Sequence, residues 1–301
     1  MKVLITGANG LLGHYLVKIL LDKNYSVIAT GKGKKRISFD ETEQLRYYDM
    51  DILLEYRVHE IFEKEKPDVV IHAAAMTQVD ECEMNPSRCE ETNVRGTSHV
   101  LINAEECSAH LIYLSTDFVF DGEKGMYRED DEPNPVNFYG FTKMQAESLV
   151  QGSEIPWTIV RTCLVYGTAS EGMRSNILTW IKESLENRKA IKVVDDQMRT
   201  PTYAEDLAVG IERIISKKAA GIFHISGEER MTPYNMACTV AGHFGYDNNL
   251  IEKVTAATFS QPGKRPPKTG FIINKAKKEL GFRPTAFKEA LFKIFASKTE
   301  L

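Results

Sequence analysis

Short apolar runs separated by helical patterns set the frame of the chain. Val3-Leu4-Ile5 reads as a buried strand, and Leu11 to Leu21 carries apolar residues at Leu12, Leu16, Ile19 and Leu20, one face of a helix. Further runs occur at Ser26-Val27-Ile28-Ala29, Val69-Val70-Ile71, Leu111-Ile112-Tyr113-Leu114, Thr158-Ile159-Val160 and Ile222-Phe223-His224-Ile225. Strands that alternate with helices pair in parallel, so the pattern predicts an α/β fold built on a doubly wound, Rossmann-type sheet. After Tyr166 the alternation weakens, and from Thr232 onward the chain reads as helical or irregular. A dinucleotide-binding domain is expected from residues 1–165 plus about 203–226. A smaller, mostly helical substrate domain is expected from about 166–202 plus 227–301, with substrate in the cleft between the two.

Ligands of such sheets bind beyond the carboxyl ends of the strands. The first strand runs into Gly7-Ala8-Asn9-Gly10-Leu11-Leu12-Gly13, a glycine turn that opens a helix. Glycines there permit positive φ and let a pyrophosphate reach backbone N–H groups at the positive end of the helix dipole. Gly13 would let the helix pack closely on the strand. The fourth run ends in Ser115-Thr116-Asp117, which offers a hydroxyl to a substrate carbonyl or simply a turn.

Tyr139 and Lys143 lie four apart in a stretch, Tyr139 to Val150, that reads as a helix, so they share a face. A nearby ammonium favours phenolate, which predicts a tyrosine pKa lowered towards neutrality and a proton donor or base. His72 and His224 interrupt apolar strands and read as core histidines. Behind the second strand, Thr30-Gly31-Lys32-Gly33-Lys34-Lys35-Arg36 lacks the acid that would bind an NAD ribose. The basic cluster, Lys32 and Lys34 in particular, favours the 2′-phosphate of NADP, with NAD as the other option.

Composition narrows the classes further. A net charge of -4 argues against a nucleic-acid or anionic-membrane binder, and no apolar run approaches the length that spans a bilayer. Met1-Lys2 leads straight into the first strand, which gives the expectation of a cytoplasmic protein. Five cysteines without a CxxC pair indicate neither a disulfide framework nor a zinc site, and no metal site is expected.

On these motifs the chain resembles the extended short-chain dehydrogenase/reductase family over essentially its full length. The resemblance is carried by the glycine turn, Asp51-Ile52, Ala73-Ala74-Ala75, Asn93-Val94-Arg95-Gly96-Thr97, Ser115-Thr116 and Tyr139/Lys143. Within it the chain is most like the dTDP-4-dehydrorhamnose reductases, through residues 75–80, 115–122, 161–167, Asp196-Gln197, Pro201-Thr202 and Leu280 to Pro284. The resemblance implies NADP(H)- or NAD(H)-dependent reduction of a nucleotide-linked 4-keto-6-deoxysugar by Thr116, Tyr139 and Lys143. It puts Gly7, Asn9, Gly10, Leu11, Leu12, Gly13, Lys32, Lys34, Asp51, Ile52, Ala73, Ala74, Ala75, Asn93, Tyr139 and Lys143 at the cofactor. Thr77, Val79, Asp117, Phe118, Leu164 and Arg199 fall at the substrate. A homodimer is expected by the same likeness.

Two departures bear on the substrate. Leu164 stands where these reductases commonly have tryptophan, and Arg199 where they have a small residue. Arg199 reads either as a diphosphate ligand or as a surface arginine. Related 4,6-dehydratases use Thr-Asp-Glu, whereas Phe118 follows Asp117 here, so reduction is preferred to elimination. The alternatives are another epimerase or oxidoreductase of the family, or a cofactor-binding regulatory subunit such as the methionine adenosyltransferase beta subunit, which resembles these reductases.

Overall fold

The structure, a computed structural model, describes residues 1–168 and 175–296. The chain begins β1 (Lys2–Thr6), α1 (Leu11–Asp22), β2 (Ser26–Gly31), β3 (Leu45–Asp49), α2 (Glu55–Glu65) and β4 (Val69–His72). Short helices α3 (Val79–Met84) and α4 (Pro86–Glu90) and a π-helical turn, Glu91–Arg95, lead into α5 (Gly96–Glu106) and β5 (His110–Thr116). Then come β6 (Gly125–Tyr127), α6 (Phe138–Gln151), β7 (Trp157–Thr162), β8 (Val165–Tyr166), α7 (Ile177–Glu186), β9 (Ile191–Val194) and β10 (Thr202–Tyr203). The remaining elements are α8 (Ala204–Lys217), β11 (Gly221–His224), α9 (Pro233–Phe244), β12 (Ile251–Val254), β13 (Thr269–Phe271) and α10 (Phe287–Ala296).

Seven of these strands form one parallel sheet in the order β11-β7-β5-β4-β1-β2-β3. Successive side chains alternate between its faces. Val3 and Ile5 join the core under α1 and α8, while Leu4 joins the core under α2, α5 and α6. The order reverses beside β1, between β1 and β4, which is where a doubly wound sheet opens its ligand crevice.

The apolar runs therefore became strands as expected, and the expected helices are α1 and α6. Strand β3 was not anticipated, because only Leu45 of its five residues is fully buried. The chain after Thr232 also holds more strand than expected: β12 pairs with β9 and β13 with β6. These strands have three or four residues each, too few to show an alternation.

Two features fix the crevice. A Cβ on Gly13 would sit 2.5 Å from the Ala8 Cα, so only glycine lets α1 press against the turn. Across the sheet, Ala74 N donates to Thr6 Oγ1 (3.1 Å), which meets His72 Nδ1 (2.7 Å). His72 Nε2 meets Thr97 Oγ1 (3.0 Å), and that hydroxyl donates to Asn93 O (2.6 Å). With the Thr97 proton committed, Nε2 is the donor, and in the neutral ring Nδ1 then accepts from the Thr6 hydroxyl. Burial in the sheet keeps the ring neutral, since it pulls the His72 pKa down to about 3.

Gly13→Ala is expected to destabilise the fold by about 1–3 kcal/mol in urea denaturation, through overpacking against Ala8. Unfolded His72 takes up a proton near pH 6.5, whereas the folded residue refuses it down to about pH 3. Stability from this group is thus complete above 6.5 and falls with acidification, by about 1.4 kcal/mol per pH unit. His72→Gln is expected to flatten the wild-type dependence between pH 6 and pH 4 by about one proton.

Candidate active site

At the β1 edge, Gly7 adopts φ +74°, and a Cβ there would approach Ala74 N to 2.9 Å. The glycine turn and the half-buried Ala73-Ala74-Ala75 stretch therefore lie against each other. Helix α1 starts at Leu11 with Gly10 as its cap and no side-chain hydrogen bond to the cap, so its first N–H groups are left for an anion. Leu11 and Leu12 pack partly on the core below.

Asn9, expected at the cofactor, extends its side chain into the basic loop. Its amide donates to Lys34 O (3.1 Å) and Tyr47 Oη (2.8 Å) and accepts from Arg36 N (2.8 Å). Tyr47 in turn donates to the Gly31 (3.0 Å) and Gly33 (2.7 Å) carbonyls. Asn9 and Tyr47 thus shape the basic loop. Within it, Lys32 pairs with Asp51 at 2.7 Å, and Lys35 donates to Phe39 O at 2.8 Å, while Lys34 and Arg36 are exposed. Partial burial pushes the Asp51 carboxyl up, but Lys32 and the Leu53 N–H outweigh it and hold it below its ordinary value. Neighbouring Ile52 is buried against Gly96, where a Cβ would come within 2.6 Å of Ile52 Cδ1.

Asn93 is turned inward as well. It brackets Met76, accepting from its N–H (2.8 Å) and donating to its carbonyl (3.0 Å), and reaches Thr142 Oγ1 at 3.0 Å. Its amide thereby holds the segment after β4 against α6.

The expected trio gathers at the carboxyl end of β5. Asn137 caps α6 by accepting from Gly140 N (2.8 Å), and a Cβ on Gly140 would collide with the Phe118 carbonyl. Glycine therefore sets how closely α6 approaches the turn after Thr116. The ring of Tyr139 stands edge-on to Phe118 at 6.1 Å. Thr116 Oγ1 caps that turn, accepting from Phe118 N (3.2 Å) and donating to Asp117 Oδ1 (3.2 Å), so the turn-forming role and the hydroxyl coexist. Lys143 is 3% exposed, donates to Leu114 O (2.6 Å) and lies 4.1 Å over the Tyr113 ring.

The electrostatics reverse one expectation. Burial raises the Tyr139 pKa above the ordinary phenol value, with Thr116 opposing the rise by hydrogen bonding, and the phenol is protonated at neutral pH. Burial also pulls Lys143 down, to about 7, against the charge of Glu147. The Lys143 hydrogen bond goes to Leu114, and desolvation dominates the tyrosine.

Among the residues expected at the substrate, Asp117 is 3% exposed and accepts from Thr269 Oγ1 and from Cys163 Sγ (3.2 Å), with Arg199 Nε at 3.9 Å. Arg199 is not a surface residue: it is 4% exposed and donates to the carbonyls of Met198 (2.8 Å) and Pro266 (2.8 Å). Its guanidinium is a clamp between Asp117, Phe118 and the proline-rich segment Pro262 to Lys268. That segment is anchored again by Arg265, which forks onto Asp80 (2.5 and 2.7 Å), and by Asn137, which donates to Lys264 O (2.8 Å). Half-buried Val79 touches the same segment at Gly263, and Thr77 is exposed. Leu164 sits in the turn between β7 and β8 at φ +39°, an uncommon conformation for a side chain of its size. Among the described residues no cluster of His, Cys, Asp and Glu could hold a metal ion, and no helix is long and apolar enough to cross a membrane.

Sequence reasoning passed over Tyr47, Asn137, Gly140 and Arg265, which act through tertiary contacts. Asn137 and Gly140 did carry a signal, an N-cap residue three positions before a glycine in the first turn of a helix.

Comparison with known proteins places this arrangement. The dTDP-4-dehydrorhamnose reductase of Aggregatibacter actinomycetemcomitans is 31% identical over 308 aligned positions, 98% of each chain. Methionine adenosyltransferase 2 subunit beta of Bos taurus is 31% identical over 259 positions, 84% of this chain and 75% of the relative. The crystal structure of dTDP-4-dehydrorhamnose reductase from Bacillus anthracis in complex with NADP superposes with a TM-score of 0.86 at 28% identity, covering 98% of this chain and 99% of that one. The family model described as the RmlD substrate binding domain matches residues 1–299, and the chain belongs to that family.

Proposed function

We propose that this protein is an NADP(H)-dependent reductase of a nucleotide-linked 4-keto-6-deoxysugar. The observation that carries the reading is the enclosure of Thr116, Tyr139 and Lys143 together at the carboxyl end of β5, beside the crevice of the sheet. The dTDP-4-dehydrorhamnose reductase relatives, one of them in complex with NADP, support the same substrate class and cofactor.

The residues at the crevice fit a dinucleotide. Gly7, Gly10 and the first turn of α1 would hold its pyrophosphate, Ala73 to Ala75 its backbone, and Asp51 and Ile52 its adenine end. Exposed Lys34, with Arg36 beside it, would meet a 2′-phosphate. When bound, the reduced nicotinamide supplies hydride to the keto carbon. Tyr139 is protonated at neutral pH and gives its proton to the carbonyl oxygen as negative charge develops there. Thr116 turns its hydroxyl from Asp117 to the same oxygen, and Lys143 stabilises the phenolate left behind. Phe118 supplies no second carboxyl group, which favours reduction over elimination.

The likeness to methionine adenosyltransferase 2 subunit beta supports a second reading, a cofactor-binding regulatory subunit. Mixing the purified protein with a dTDP-4-keto-6-deoxysugar and following the near-ultraviolet absorbance of NADPH or NADH separates the two. Loss of the NADPH signal supports the reductase, and NADPH binding with no turnover of any nucleotide sugar supports the subunit.

Tyr139→Phe is expected to lower kcat by about a thousandfold while leaving NADPH affinity near wild type, because it removes a proton and not a binding surface. An active variant would exclude Tyr139 as the donor. Lys34→Glu is expected to weaken NADPH about tenfold more than NADH, equivalent to about 1.4 kcal/mol, by fluorescence titration. Equal losses for both cofactors would remove Lys34 from the phosphate site.

A further inference from the structure

Helix α6 buries one more charged group on the face that carries Tyr139 and Lys143. Glu147 follows Lys143 by four positions, so the three side chains form a stripe. Glu147 is 2% exposed and receives Arg161 of β7 as a fork, Nε at 3.0 Å and Nη2 at 2.7 Å. Arg161 is 1% exposed, and its Nη1 is buried without a hydrogen-bond partner among the described residues. A buried ion pair gives little net stability over an apolar pair of the same size, which leaves its place under α6 to be explained by something else.

The surroundings of Lys143 supply the explanation. Facing it are the Tyr113 ring and Leu114 carbonyl of β5, the Cys89 thiol of α4, His72 of β4 and Glu147 on its own helix, with Tyr139 one turn before it. His72 is neutral, and burial keeps Tyr113 and Tyr139 protonated. Glu147 is the one carboxylate of this set and acts on the lysine more strongly than Cys89, which favours the ammonium in the same sense. Arg161 binds Glu147 from the β7 side, one helical turn beyond the ammonium.

We propose that Glu147, held in place by Arg161, is a positioning residue whose negative charge favours the protonated form of the enclosed Lys143. The kinetic consequence rests on the reductase reading, since a charged Lys143 is what stabilises the Tyr139 phenolate. Burial alone would leave the lysine neutral over much of the working range, and Glu147 opposes that.

Two variants break the same ion pair with opposite charge. Glu147→Gln leaves Arg161 unbalanced, and Lys143 is expected to lose its proton at a pH lower by about one unit; Arg161→Met leaves Glu147 unbalanced and displaces the titration upward by a similar amount. The readout is a carbon-13 NMR titration of lysine-labelled full-length protein, with the Lys143 signal identified by Lys143→Met. The pH dependence of kcat is expected to move in the same two directions. Displacement the same way in both variants, or in neither, would overturn the proposal, because a merely structural pair predicts equal damage and no opposed change. Should either variant fail to fold, Arg161→Lys retains both charges and is expected to leave the Lys143 titration in place; a displaced titration there would count against the assignment. A wild-type protein that reduces no nucleotide sugar would refute the reductase reading, while the NMR titration would still decide the role of Glu147.

Discussion

Enclosing an ammonium group between a helix and a sheet costs several kcal/mol unless fixed partners replace its water. Lys143 is the group so enclosed, and the elements around it are arranged to meet that cost. The Leu114 carbonyl accepts its proton at 2.6 Å, the Tyr113 ring lies beneath it, and Glu147 supplies charge one turn along. The two β5 groups reach the lysine only where α6 lies close to β5. Gly140, at its contact with Phe118, and the Asn137 cap make that approach possible. The same approach brings Tyr139 to the turn that Thr116 caps, so solvation of the lysine and assembly of the trio are one structural event.

The crevice beside β1 is held by a second set of internal bonds. The chain Ala74, Thr6, His72, Thr97, Asn93 runs from the glycine turn through β4 to the π-helical turn, and Asn93 continues it to Thr142 on α6. These bonds tie the glycine turn, the end of β4 and α6 into one frame. Polar networks of this kind are costly when partly satisfied and rigid when complete. Arg199 and Arg265 hold the proline-rich segment against Asp117 and Asp80.

The main sheet was legible in the sequence wherever a strand is buried on both faces, because such strands are continuous apolar runs. Strand β3 was not, since Arg46, Tyr47, Tyr48 and Asp49 look like loop when the core is unknown, and the short pairs β6 with β13 and β9 with β12 exist only through partners far along the chain. At the site, the glycine turn and the Tyr139/Lys143 spacing could be read because both depend on local geometry. The aim of a side chain could not. Asn9 and Asn93 belong to recognisable motifs, yet their amides bind Tyr47 and Met76, and Arg199 is buried by segments that meet only in the fold. The direction of the Tyr139 pKa was missed for the same reason: spacing shows which charge is near, while the extent of burial is a property of the folded molecule.

The central claim of the proposed function is transfer of hydride to a sugar carbon. The most direct test supplies NADPH carrying deuterium on the transferring face of its nicotinamide together with a dTDP-4-keto-6-deoxysugar, and reads the product by mass spectrometry and NMR. The account predicts one deuterium, bound to C4 of the sugar. A product with hydrogen only at C4, or recovery of unchanged keto sugar from protein shown to bind NADPH, would contradict it.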